Sequence, residues 1–198
     1  MTADVARLRR SPLGELADKL AAVGGPESVW FAERPFRVQV ELRVARDAPM
    51  PALCEQLGLM LPRDVGYAAS TGDRDALCLA PRWWLVTQPP EPAPGLECGL
   101  VAGLRSAGGA AVSAVDVSAQ RTAIDVGGPN ARDVLAHGCS LDLHPRAFGP
   151  GRCAQTTLAK AQVVLHQCDE TPTFRVFVRA SFADYLARWL LDAATEYV

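Results

Sequence analysis

The chain has no CxxC pair, no run of about 18 apolar residues, only three histidines, and no strong excess of either charge. Each shortage excludes a class. Without paired cysteines in a tight knuckle, a zinc ribbon has no framework. Without a long apolar run, no helical membrane span is expected. A net charge of −2 and a pI near 5.9 argue against a nucleic-acid groove or a surface for anionic membranes. The one basic run is Arg7, Arg9 and Arg10, read as a solvated N-terminal stretch. The opening MTADVARLRRSPLG carries no apolar core, so no secretory signal is expected and the chain is placed in the cytoplasm. Six scattered cysteines, at 54, 78, 98, 139, 153 and 168, then read as reduced, mostly buried thiols. GxGxxG after a strand, GxxxxGK[ST], GxSxG and HExxH are all absent.

What is present is the patterning of an ordinary folded chain: 198 residues, 49% hydrophobic and 21% charged, enough for one domain with a sizeable core. Ser11-Pro12 predicts a helix start, with Leu13, Leu16, Ala17 and Leu20 on one face and Gly24-Gly25 as the stop. FRVQVELRV alternates cleanly. Phe36, Val38, Val40, Leu42 and Val44 form a dry face, and Arg37, Gln39, Glu41 and Arg43 a polar one. MPALCEQLG predicts a short helix, ALCLA and WWLVT two strands, and QPPEPAPG a stiff linker into the helix LECGLVAGLRSAG. AAVSAVDV and QRTAIDV predict strands, NARDVLAHG a helix, and CAQTTLA, QVVLHQ and TFRVFVR a meander. In the last helix Ser181 and Asp184 resemble a capping box, and Phe182, Tyr185, Leu186, Trp189, Leu190 and Ala193 follow at buried-stripe spacing. The order strand, helix, strand, strand, helix occurs twice. The fold class expected is therefore α+β, a single domain over 1–198 with pseudo-duplicated, ferredoxin-like halves at 11–109 and 110–198.

The stretch GCSLDLHPRAFGPGRCAQ, with His137 just before it, gathers Cys139, His144 and Cys153. Gaps of four and eight residues, with no second close pair, do not match metal-ligand spacing. A Cys–His nucleophile needs an orienting group that the sequence does not supply. A shaped loop explains more of these residues: Gly138 ends a helix, Asp142 to Pro145 turn the chain, Phe148 plugs the core, and Gly149-Pro150-Gly151 bends into the next strand. No catalytic, cofactor-binding or metal-ligating residue is assigned.

VDVSAQR, GGPNARDVL, GCSLDLHPRAF and GRCAQ, in that order, resemble the gamma subunit of heterotetrameric sarcosine oxidase. The SPL start, GDRDALCLAPRWWLV and FRVFVRASFADYLARWLLDA extend the resemblance from about Ser11 to Ala193. That family in turn resembles the folate-binding aminomethyltransferase (T-protein) fold. The hairpin LAKAQVVLHQ departs from it, with Ala161 near a glycine position and Leu165 and His166 where an aspartate is sought. The resemblance thus implies the fold without the folate chemistry. It implies a non-catalytic subunit without a cofactor, assembled with alpha, beta and delta subunits that carry FAD, FMN, NAD, zinc and tetrahydrofolate. A gamma-like subunit of a related amine dehydrogenase, such as one acting on N-methylglutamate, and a stand-alone T-protein-like enzyme are the alternatives. Trp83, Trp84, Arg37, Arg43, Arg146 and Phe148 are the expected partner-contact residues.

Overall fold

The computed structural model describes residues 9–72, 74–90 and 96–198. Arg7 of the basic run and most of the expected linker lie outside them. Ten strands form two five-stranded antiparallel sheets among the described residues. One sheet holds β3 (Ala68–Thr71), β4 (Arg74–Ala80), β5 (Trp83–Gln88), β2 (Val38–Val44) and β6 (Val112–Asp116), in that spatial order. The other holds β8 (Cys153–Leu158), β9 (Ala161–Gln167), β10 (Phe174–Arg179), β7 (Arg121–Gly127) and β1 (Trp30–Arg34).

The two orders correspond strand for strand. Each run of strands borrows its fifth member from the other: β1 precedes β2 in the chain but pairs with β7, and β6 precedes β7 but pairs with β2. This exchange ties the sheets together at one side. At the other side the edges of β3 and β8 are stitched by Ala68 N–H to Gly151 O (2.7 Å) and Cys153 N–H to Gly66 O (2.9 Å).

The helices lie outside the sheets. Against the second sheet pack α1 (Leu16–Ala21), α4 (Ala131–Ala136) and α5 (Ala180–Ala193), which bury Leu16, Leu20, Val134, Leu135, Leu186 and Leu190 over Ile124, Val126, Leu165 and Val176. Against the first pack α2 (Met50–Leu57) and α3 (Leu96–Gly108), with Leu53, Leu57 and Leu104 over Val40, Leu42 and Val86. A third apolar cluster sits between the sheets: Leu77, Leu79 and Leu85 from one, Ala123, Cys153, Val164 and Phe177 from the other. The α+β expectation therefore holds, as two antiparallel sheets face to face with helices on both outer sides.

Four expectations change. The dry face of FRVQVELRV does face helices, but the first part of its polar face meets the other sheet, burying Arg37 and Gln39, while Arg43 stays exposed. Strands β1 and β3 were not legible, because WFAER does not alternate and AAST is short and half-exposed. The final helix carries no capping box: its N-cap is Arg179 without a side-chain bond, and Asp184 pairs with Arg188 at 2.8 Å. Its stripe is also rotated. Ala183, Leu186, Ala187 and Leu190 are buried, while Phe182 and Tyr185 are exposed and touch edge to face.

Candidate functional site

Strand alternation sends every second residue of both sheets into the layer between them. Its centre is apolar, but one end collects charge. Asp125 on β7, almost fully buried, accepts from Arg34 Nε (2.7 Å) and from Arg175 Nε and Nη2 (2.8 and 3.1 Å). Arg175, on β10, also reaches Asp75 on β4 at 3.1 Å. Asp75 accepts from Ser70 Oγ (2.8 Å) and from Arg37 Nη2 (3.5 Å), and Arg37 Nε donates to Thr87 Oγ1 (3.1 Å). Each sheet thus contributes one aspartate, and Arg175 bridges them (an ionic staple between two sheets). Buried carboxylates of this kind need such partners, because removing charge from water costs several kcal/mol per ion.

The environment sets protonation here. Burial pulls the Arg37 guanidinium down, and the neighbouring Arg175 adds to this, while Asp75 and Asp125 oppose it. For Arg175 burial also works against the charge, but hydrogen bonds and the field of Asp125 outweigh it and hold the group firmly protonated. His166, on β9, lies in the same layer and is pulled down to about 4, first by burial. It is neutral at pH 7, with Nδ1 3.7 Å from Cys168 Sγ. Burial pushes that thiol up to about 12, so it is no nucleophile. Every charged group of the cluster is matched inside the chain, which makes it an ionic joint between the two sheets.

The Cys/His stretch disperses. His137 Nε2 meets Tyr197 Oη at 3.0 Å, and Cys139 N–H closes the turn after α4 on Leu135 O. His144 is exposed, its Nδ1 accepting from Arg146 N–H (3.2 Å), and Cys153 belongs to the inter-sheet layer, its thiol pushed up to about 12 by burial. Among the described residues no group of three or more His, Cys, Asp or Glu is placed to hold a metal ion.

The six expected contact residues separate into two groups. Arg37, Trp84 and Phe148 are buried and committed within the chain, which leaves them little surface to offer. Trp84 Nε1 donates to Pro62 O (2.8 Å), and Phe148 stacks on Phe174 under α4. Burial of Arg37 follows from the inter-sheet position that alternation alone does not reveal. Trp83 is half-buried with Arg43 over its ring (4.4 Å to the centroid), Arg43 pairs with Glu41, and Arg146 is exposed. Sequence reasoning passed over Asp75, Asp125 and Arg175. A charged residue inside an otherwise apolar strand, as in TAIDV, is the signal that marks them.

Two concavities open away from the ionic cluster, at the Arg121–Arg179 end of β7 and β10. One, of about 670 Å³, is lined by Arg9, Arg10, Phe36, Asp116, Ser118 and Arg121. The other, of about 350 Å³, is lined by Arg121, Gln155, Thr157, Gln162, Val164 and Arg179.

With this geometry in place, comparison with known proteins is direct. Residues 43–196 match the family model described as "Sarcosine oxidase, gamma subunit family". The chain is 38% identical over 192 residues to the sarcosine oxidase subunit gamma of Arthrobacter sp., covering 96% of this chain and 92% of that one. A chain of the heterotetrameric sarcosine oxidase from Corynebacterium sp. U-96 superposes with a TM-score of 0.84 at 35% identity, covering 96% of both chains. The glycine cleavage system aminomethyltransferase T of Bartonella henselae superposes at 0.67 with 15% identity, over 93% of this chain and 57% of that one, which is a likeness of fold alone. The superposition and the sequence matches agree: the chain belongs to the sarcosine oxidase gamma subunit family.

Proposed function

We propose that this chain is the non-catalytic gamma subunit of a cytoplasmic heterotetrameric sarcosine oxidase, which demethylates sarcosine oxidatively to glycine. Its contribution is shape and surface. The alpha, beta and delta partners hold the FAD, FMN, NAD, zinc and tetrahydrofolate, and this chain binds none of them. The observation that carries the reading is the superposition, over 96% of both chains, on a chain from such an assembly. The commitment of the buried ionisable groups to partners within the chain supports it. The carboxylates whose field acts on His166, Asp75 and Asp125, are both held by arginines, which disfavours a stand-alone folate enzyme.

We read residues 1–198 as one domain of two corresponding halves, 11–109 and 110–198. Each half then begins by lending a strand, β1 or β6, to the other's sheet. Trp83, Arg43 and Arg146 remain surface candidates for partner contact, and a permanent interface of this kind buries upward of about 2,000 Å².

Affinity capture from the native host, with the visible spectrum of the eluate recorded, tests the assignment. Flavin absorbance accompanying three further polypeptides is expected. Recovery of the 21.1 kDa chain alone and colourless under gentle conditions overturns it.

A further inference from the structure

The two ends of the inter-sheet layer are topological counterparts, but only one is closed by ion pairs among the described residues. At the ionic end, Ser70, Asp75, Thr87 and Gln39 lie side by side across β3, β4, β5 and β2. The corresponding row of the second sheet crosses β8, β9, β10 and β7. Thr157 pairs with Gln162, and Arg179 pairs directly with Arg121. Gln162 and Arg179 sit one step past the Val163–Val178 pair and line the same cleft. The place of Asp75, second residue of β4, is therefore taken by Gln162, second residue of β9. The carboxylate is missing where two arginines face each other.

Like charges directly opposed across a ladder are destabilising. Burial lowers the pKa of Arg121, Glu41 opposes that, and Arg179 lowers it further. Glu41 is engaged by Arg43 at 3.1 Å. Asp116, in the adjoining concavity, accepts from Ser118 N–H and Oγ at 2.8 and 2.5 Å. Neither Arg121 nor Arg179 makes an ion pair with a described residue.

We propose that this end receives a carboxylate side chain from an acidic segment of a partner subunit, seated between Arg121 and Arg179 and supplying the charge that Asp75 supplies at the other end. This rests on the gamma-subunit reading. Charge complementarity selects the occupant: a chain of net charge −2 concentrates Arg9, Arg10, Arg121 and Arg179 along one pair of concavities. The two openings meet at Arg121 and together are far larger than one inorganic ion, which favours an extended segment. Arginine's planar fork suits a carboxylate in this setting.

The test is co-expression with the partner subunits and capture through a tag on this chain, with salt washes. Arg121→Gln and Arg179→Gln are expected to lower retained partner at least tenfold, while Arg46→Gln, on an exposed loop, changes nothing. Thermal melts of the full chain within about 2 °C of wild type confirm that the variants fold. Should they not fold, Arg179→Lys with a zero-length carbodiimide decides: an amide cross-link from Lys to a partner Asp or Glu supports the proposal, and its absence overturns it. Wild-type and variant chains that assemble equally overturn the inference and leave the subunit assignment standing. Failure of the wild type to assemble removes both. A melt of the wild type raised by inorganic phosphate but not in the variants, with assembly unaffected, marks a small-anion site and also overturns it.

Discussion

His166 carries the sharpest consequence at the scale of single residues. Its imidazole is pulled down to about 4, chiefly by burial. In the unfolded chain the same group takes up a proton below about pH 6.5. Between these values the unfolded state binds more protons than the folded one, so stability falls as pH drops from 6.5 toward 4. The slope approaches about 1.4 kcal/mol per pH unit. Above pH 7 this contribution is complete and flat. Denaturant unfolding of wild type and His166→Gln at pH 4.5, 5.5 and 7.5 checks it; the variant should lose most of the acid slope. A second residue-scale outcome concerns Gly127, where an added Cβ meets the Trp30 ring at 2.2 Å. The indole is wedged across the β1–β7 pair, so Gly127→Ala should cost about 1–3 kcal/mol, measured by urea melts.

Among the elements, the final helix α5 separates packing from capping. No side chain caps its N-terminus, so Ser181→Ala should change stability by less than about 0.5 kcal/mol; a true N-cap loss costs about 1. Leu190, fully buried against the second sheet, should cost about 2–5 kcal/mol as Leu190→Ala, in chemical denaturation. The same helix shows what periodicity can and cannot give. Spacing of three and four locates a helix, but Leu186, Trp189 and Leu190 fit stripes of more than one phase, and only the packed sheet decides that Phe182 lies outside. Strand β2 teaches the complementary lesson. Its alternation was plain, yet a polar face reads as solvent until a second sheet covers it. Asp125 in TAIDV and Asp75 beside ALCLA are each unremarkable as sequence neighbours. They become one site only once the two sheets pack face to face. The Cys/His loop is the reverse case, adjacent in sequence and scattered in space, and Gly138, Pro145 and Gly151 signalled a shaped turn.

For the whole molecule, the two ends of the inter-sheet layer should respond oppositely to the same chemical change. Arg175 answers both buried aspartates, so Arg175→Gln leaves Asp125 with Arg34 alone and strips Asp75 of its closer arginine. Breaking a buried pair in this way costs about 3–5 kcal/mol, because two desolvated carboxylates are left with weaker compensation. Arg179 is exposed and faces only like charge across the ladder, so Arg179→Gln relieves repulsion and should leave the isolated chain unchanged or slightly more stable. Thermal melts at pH 7 read the contrast: a fall of roughly 6–20 °C for the first variant and no fall for the second. Equal losses at both positions would mean that the second arginine pair is neutralised within the chain after all. If the losses are unequal, the sandwich is held together by charge at one end and left incomplete at the other, which is where an assembling subunit has most to gain from a partner.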